Sequence, residues 1–151
     1  MVRKPSDQVG PGDPAAAVLA VARLARHLEQ AAGELPISQY RLLALIDAGD
    51  QQASRIAAKL VTGRPAVSAG VDSLCRKGLV RKSAVAGDQR AAALELTAAG
   101  REQLRAATGA MVAKLDELLS TVADSAGLIL ALVALGEVIE ADSVERARGL
   151  R

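Results

Sequence analysis

Residues 54–97 read SRIAAKLVTGRPAVSAGVDSLCRKGLVRKSAVAGDQRAAALELT, and their pattern decides the fold. Ile56, Ala57 and Leu60 recur at helical spacing behind Ser54, whose hydroxyl suits an N-cap. Thr62-Gly63 breaks that helix, and Pro65 suits the first turn of the next. In this second helix Val67, Val71, Leu74 and Cys75 fall on one face. The opposite face carries Arg64, Ala66, Ser68, Ala69, Asp72 and Arg76. Gly78 is placed to close the helix as a left-handed cap. Leu79 to Lys82 and Ala93 to Leu96 are expected to pair as strands across the loop Ala86-Gly87-Asp88-Gln89. Helix, turn, helix and a two-stranded ribbon make a helix-turn-helix with a β-wing.

Charge sets the stretch apart. Between Ser54 and Leu94 stand Arg55, Lys59, Arg64, Arg76, Lys77, Arg81, Lys82 and Arg90, against only Asp72 and Asp88. The whole chain nets +2, so its positive charge is concentrated in this module. Solubilising charge on exposed faces would account for the basic residues alone. Joined to the helix-turn-helix and wing order, they point to a polyanion, and specifically to DNA.

Outside this core of the argument, Gln39-Tyr40-Arg41-Leu42-Leu43-Ala44-Leu45-Ile46 forms a preceding helix. With Ser54 to Leu60, Val67-Ser68, Gly78-Leu79-Val80, Gly87-Asp88-Gln89-Arg90 and Leu94-Glu95-Leu96-Thr97-Ala98-Ala99-Gly100, it resembles the MarR (multiple antibiotic resistance regulator) family of winged helix-turn-helix transcription factors. The most specific pieces match that family's D-x-R wing and the L-T-x-x-G that follows it. The resemblance covers about residues 14 to 145. It implies a C2 dimer with interlocking terminal helices. It also implies control by a small, often phenolic, ligand lodged between the dimer layer and the winged module.

Composition narrows the partner. Hydrophobic residues make up 50% of the 151, yet Tyr40 is the only aromatic. Single-stranded nucleic acid and RNA bases are commonly held on aromatic platforms, which this chain lacks, so duplex DNA is the better match. A single cysteine rules out an intrachain disulfide framework and fits a reducing cytoplasm, where the protein is expected to reside. The polar N-terminus carries no signal-peptide pattern. The longest apolar run, Leu128 to Leu135, is too short to span a bilayer.

Taken in order, residues 1–13 hold Pro, Gly and charge without periodicity and read as a flexible arm. Its Arg3 and Lys4 are either uninvolved or touch DNA. Ala15 to Ala32 is expected to be a helix with Val18, Val21, Leu24, Ala25 and Leu28 on its stripe. His27, at the stripe's edge, is a weak candidate for lining a ligand pocket or switching with pH, beside its plain reading as a structural or solvated His. Ser38 to Ala48 is a second helix, and Gln51-Gln52 is a candidate short strand beside the wing. Thr97 caps a long helix to about Val122, and Asp124-Ser125 starts a last one to about Arg148. Residues 128–135 are apolar almost all round, which one small winged module cannot cover but a second copy can. The expected fold is mainly α with a small β-wing. Residues 36–97 form the winged helix-turn-helix, and residues 14–35 and 98–148 form a helical dimerisation region.

Enzymatic constellations are missing from the sequence. One His and one Cys cannot make a Cys/His zinc cluster, and no G-x-S-x-G, P-loop or dinucleotide fingerprint occurs. No catalytic residue, metal or cofactor is expected. Cys75 has two readings. It is a small core residue beside Val67 and Val71, or a redox switch whose thiolate Arg76 and Lys77 would favour.

The DNA-binding set expected from the sequence is Ser54, Arg55, Lys59, Arg64, Ala66, Ser68, Ala69, Arg76, Lys82, Asp88 and Arg90. Arg64 and Ser68 can hydrogen-bond base edges, and Ala66 and Ala69 can meet thymine methyls. Arg55, Lys59, Arg76 and Lys82 are placed for phosphates. Arg90 suits a narrow minor groove, with Asp88 holding the wing loop by pairing with it. The function expected is a homodimeric, sequence-specific transcriptional regulator, a ligand-responsive repressor on a pseudo-palindromic operator. The alternatives are a protein-interaction module built on a winged helix and a sequence-tolerant architectural protein.

Overall fold

The computed structural model describes residues 12–60, 62–85 and 88–149. Its elements are α1 (Pro14–Ala31), α2 (Ile37–Asp47), α3 (Ala53–Leu60), α4 (Arg64–Arg76), β1 (Val80–Val85), β2 (Asp88–Leu96), α5 (Ala98–Leu119) and α6 (Ser125–Gly149). Residues 1–11 of the expected arm, and Ala86-Gly87 of the expected wing loop, lie outside the described residues.

Local chemistry explains the boundaries. The Asp13 carboxylate accepts from the Ala15 N–H at 2.9 Å, and Pro14 opens α1 with its φ already helical. Helix α4 ends in a full Schellman arrangement. Leu79 N–H donates to Leu74 C=O at 2.9 Å, Gly78 N–H donates to Cys75 C=O at 3.0 Å, and Gly78 takes φ +70°. Thr97 caps α5 by accepting from the Gly100 N–H at 3.0 Å. Asp124 does the same for α6 through the Gly127 N–H at 2.9 Å. Ser54 is not the cap expected of it. The helix begins one residue earlier, which puts Ser54 inside the first turn.

The wing is a two-stranded antiparallel sheet pairing Val80 with Leu96, Arg81 with Glu95 and Lys82 with Leu94. Both strands outrun the expected segments, and Asp88 and Gln89 belong to β2 instead of the loop. Val80, Leu94 and Leu96 are buried, as alternate residues of a half-covered ribbon should be. Gln51 contributes one bond, its carbonyl accepting from Leu94 N–H at 2.9 Å, and does not form a third strand.

One hydrophobic core joins α2, α3, α4, the wing and α5. Leu35, Leu43, Ile56 and Leu74 are its largest fully buried side chains. Val67, Val71 and Leu74 carry α4 into it as the spacing predicts, while Cys75 sits half-buried at its edge. Leu104, Ala107 and Met111 of α5 belong to the same core, so α5 is shared between the winged module and the helical layer.

The rest of that layer is uncovered in a single chain. Val18, Leu19 and Val21 on α1, and Leu130, Val133, Val138 and Ile139 on α6, are all more than half exposed. An apolar surface of this extent marks an interaction face.

Candidate nucleic-acid interface

The two helices of the helix-turn-helix present most of the expected residues to solvent. On α3, Ser54 and Arg55 are exposed. On α4, Arg64, Ala66, Ser68, Ala69 and Arg76 are exposed, opposite the buried Val67, Val71 and Leu74. Burial of that inner face fixes the outer one, because the helical period leaves no other rotation. Asp88 and Arg90 have their backbone in β2, but their side chains, and the pairing expected between them, lie outside what the structure describes.

Helix α4 is braced on two sides. Toward the wing, Lys82 of β1 donates to Asp72 at 2.8 Å. The bond raises the Lys82 pKa and lowers that of Asp72. Toward α2, Lys77 donates to Gln39 Oε1 at 2.9 Å, and Gln39 Nε2 donates to Ser73 at 3.3 Å. Gly70 lets α2 come close, since a Cβ there would stand 2.5 Å from Leu42 Cδ1. This explains a glycine in mid-helix despite its cost of about 1 kcal/mol against alanine. Gln39, Ser73 and Lys77 were not among the residues expected at the site. Gln39, three residues after Pro36 in α2, gave no distinct signal among the neighbouring polar Ser38 and Arg41.

The wing carries its own brace. Arg81 donates to Glu95 at 2.9 and 2.6 Å, and Ser83 donates to the other carboxylate oxygen at 3.1 Å. Arg81, then Ser83, hold the Glu95 carboxyl below its ordinary pKa. Opposite charges directly across an antiparallel pair stabilise the ribbon modestly.

Lys59 sits differently from the phosphate-facing position expected. Its ammonium lies 2.9 Å from Glu140 of α6 and 3.0 Å from Asp50 in the α2–α3 turn. Both carboxylates favour its charged form and raise its pKa, Glu140 most. Lys82 is likewise engaged within the chain, which leaves Arg55, Arg64 and Arg76 as the exposed guanidinium groups on α3 and α4.

A cleft of about 160 Å³ opens between α2, α3 and α4, lined by Arg41, Leu42, Leu60, Thr62, Ala66 and Gly70 among others. It lies within the winged module. His27 is exposed on α1 and does not line it. Among the described residues no group of three His, Cys, Asp or Glu side chains is placed to hold a metal ion. No helix among them is long and apolar enough to cross a membrane.

These elements define a winged helix-turn-helix protein with an exposed, braced second helix and an apolar helical layer. The MarR family's sequence model matches residues 34–91. The fold is similar to the transcriptional regulator MOSR of M. tuberculosis, solved in complex with DNA. The two share 27% identity at a TM-score of 0.61, over 87% of this chain and 98% of that one. It is similar to wild-type MarR of E. coli in its apo form, at 17% identity and TM-score 0.69, over 84% of this chain and 97% of that one. It is also similar to the transcriptional repressor CouR bound to a 23-mer DNA duplex, at 24% identity and TM-score 0.70, over 85% and 98%. No curated protein sequence gives a significant match. The chain is thus similar to the MarR family in sequence over residues 34–91 and to its solved members in fold.

Proposed function

We propose that the protein is a homodimeric transcriptional regulator that binds a pseudo-palindromic duplex and acts as a ligand-responsive repressor in the cytoplasm, without enzymatic activity. The observation that carries the reading is the exposed face of α4, with Arg64, Ala66, Ser68, Ala69 and Arg76 set outward and the helix braced from both sides. A helix held this way enters a major groove with little reorganisation. MOSR and CouR, each solved with DNA, support the partner. PcaV of Streptomyces coelicolor, solved with its natural ligand at 20% identity, supports a small-molecule response.

On this reading residues 36–97 meet DNA, while residues 14–35 and 98–148 dimerise. Arg64 and Ser68 read base edges, Ala66 and Ala69 pack on thymine methyls, and Arg90 enters the minor groove with Asp88 ordering its loop. Ser54, Arg55, Arg76 and Lys82 serve the phosphates, Lys82 sharing its charge with Asp72. Lys59, held by Glu140 and Asp50, is engaged within the chain and is not assigned to a phosphate. His27 remains a weak ligand-pocket candidate. Footprinting the purified protein on the region upstream of its own reading frame tests the proposal. A protected, two-fold symmetric tract supports it, and binding with no preference over competitor DNA favours the architectural alternative.

A further inference from the structure

From the Lys59 ion pairs we infer that Glu140 is a positioning residue for operator spacing. It holds α3, and with it the winged module, at a fixed attitude to the helical layer. The inference rests on the dimeric DNA-binding reading above.

Helix α6 begins after the short turn that follows α5, and within its own chain it packs chiefly on α3. The seam lies in the C-terminal part of α6, where Ser143 is buried and Val144 half-buried. The Ser143 hydroxyl turns back to the Ile139 carbonyl at 2.8 Å, so it closes on its own helix and adds no polar tie across the seam. The charged tie is Lys59. Its ammonium is drawn to Glu140 at 2.9 Å on α6 and to Asp50 at 3.0 Å beside α3. The Asp50 side chain is only 13% exposed, and its Oδ2 is buried with the Lys59 charge against it. Asp50 therefore anchors Lys59 on the winged module, and Glu140 supplies the reach to the helical layer.

A C2 dimer reads two half-sites about 10 bp apart, so a small rotation of each winged module on its helical layer changes the separation it fits. Exposed ion pairs contribute little to stability, so a tie at the solvent edge of the seam acts on the attitude of the module more than on its folding. Lys59 thus serves DNA binding through Glu140 and not through a phosphate.

The test uses the full chain and operator duplexes in which the two half-sites are moved apart one base pair at a time, together with a single half-site duplex. Wild-type protein is expected to favour one spacing by tenfold or more. Glu140→Gln, which keeps shape and removes charge, is expected to flatten that preference to about threefold or less, with single half-site affinity and melting temperature close to wild type. Lys59→Arg, which can still meet both carboxylates, is expected to retain the wild-type profile. A DNA-free reading comes from spin labels at Ala69→Cys in a Cys75→Ser background. Adding Glu140→Gln should broaden the distance distribution between the two recognition helices. A Glu140→Gln protein with the wild-type spacing profile and an unbroadened distribution overturns the inference. Wild-type protein that binds operator and scrambled duplex equally overturns the DNA-reading proposal itself, and the spin-label distances then judge the tie separately.

Discussion

The hydroxyl of Thr97 donates to the Gly78 carbonyl at 2.7 Å, joining the start of α5 to the turn that ends α4. The same side chain caps α5 through Gly100 N–H, and Thr97 N–H donates to Leu79 C=O at 3.1 Å. Gly100 completes the joint, because a Cβ there would overlap the Leu79 carbonyl. The Leu-Thr-x-x-Gly run therefore welds the end of α4 to the start of α5.

Breaking the weld should cost stability in two distinct ways. Thr97→Val removes the cap and is expected to destabilise by about 1–2 kcal/mol. Gly100→Ala forces backbone apart and is expected to cost on the order of 1–3 kcal/mol. Urea denaturation of both variants checks this, and a Gly100→Ala protein as stable as wild type would show that the joint yields freely.

Dimerisation should depend on α6 residues that a single chain leaves bare. Leu130 is 71% exposed, so Leu130→Asp disturbs little within one chain but buries an unpaired charge between two. Sedimentation velocity is expected to show loss of the dimer or aggregation. A dimer of unchanged affinity would place the interface elsewhere.

Two carboxylates of the winged module, Asp72 and Glu95, should titrate low. Asp72 beside Lys82, and Glu95 beside Arg81 and Ser83, both have their pKa lowered on folding. The stability they lend is present above the ordinary carboxylate values of 3.8 and 4.5, and is lost as pH falls through the lower folded values. Side-chain carboxyl NMR titration should find Glu95 below its ordinary value in wild type and nearer to it in Arg81→Gln. Identical curves would mean that the bridge does not persist in solution.

Cys75 is half-buried at the edge of the α4 core. Its packing role predicts that Cys75→Ser retains DNA binding and is no less sensitive to peroxide than wild type. Peroxide release of DNA that disappears in the Ser variant would establish the redox reading instead.

How much of this was legible depends on sequence distance. Val67, Val71 and Leu74 announce the buried face of α4 because helical period is a local property, and Thr97 and Asp124 are caps that need only the next few residues. The wing runs longer than expected because the added residues, among them Ser83, Ala84, Gln89, Arg90, Ala91 and Ala92, carry no apolar–polar alternation. Ser54 failed as a cap because the chain turns helical at Ala53, and single-residue boundaries are not encoded by hydroxyls alone. The roles of Lys59 and Lys82 were the least legible. A basic residue in a basic stretch reads as a phosphate contact until Glu140 and Asp72, brought in by tertiary packing, stand beside it. Gly70 read as a weakness of the helix until Leu42 of α2 filled the space that it leaves.

On the proposed function, α4 reads sequence while surrounding charge supplies affinity. Arg64, at the start of α4, and Arg55, on α3, are both exposed arginines of the same charge. The direct test titrates Arg64→Ala and Arg55→Ala against operator and scrambled duplex at several salt concentrations. Arg64→Ala should lose about 1–3 kcal/mol per half-site on operator and little on scrambled DNA. Arg55→Ala should weaken both duplexes alike and reduce the salt slope by roughly one unit per half-site. If both variants lose operator and scrambled duplex in equal proportion, Arg64 does not read bases and the account of α4 is contradicted.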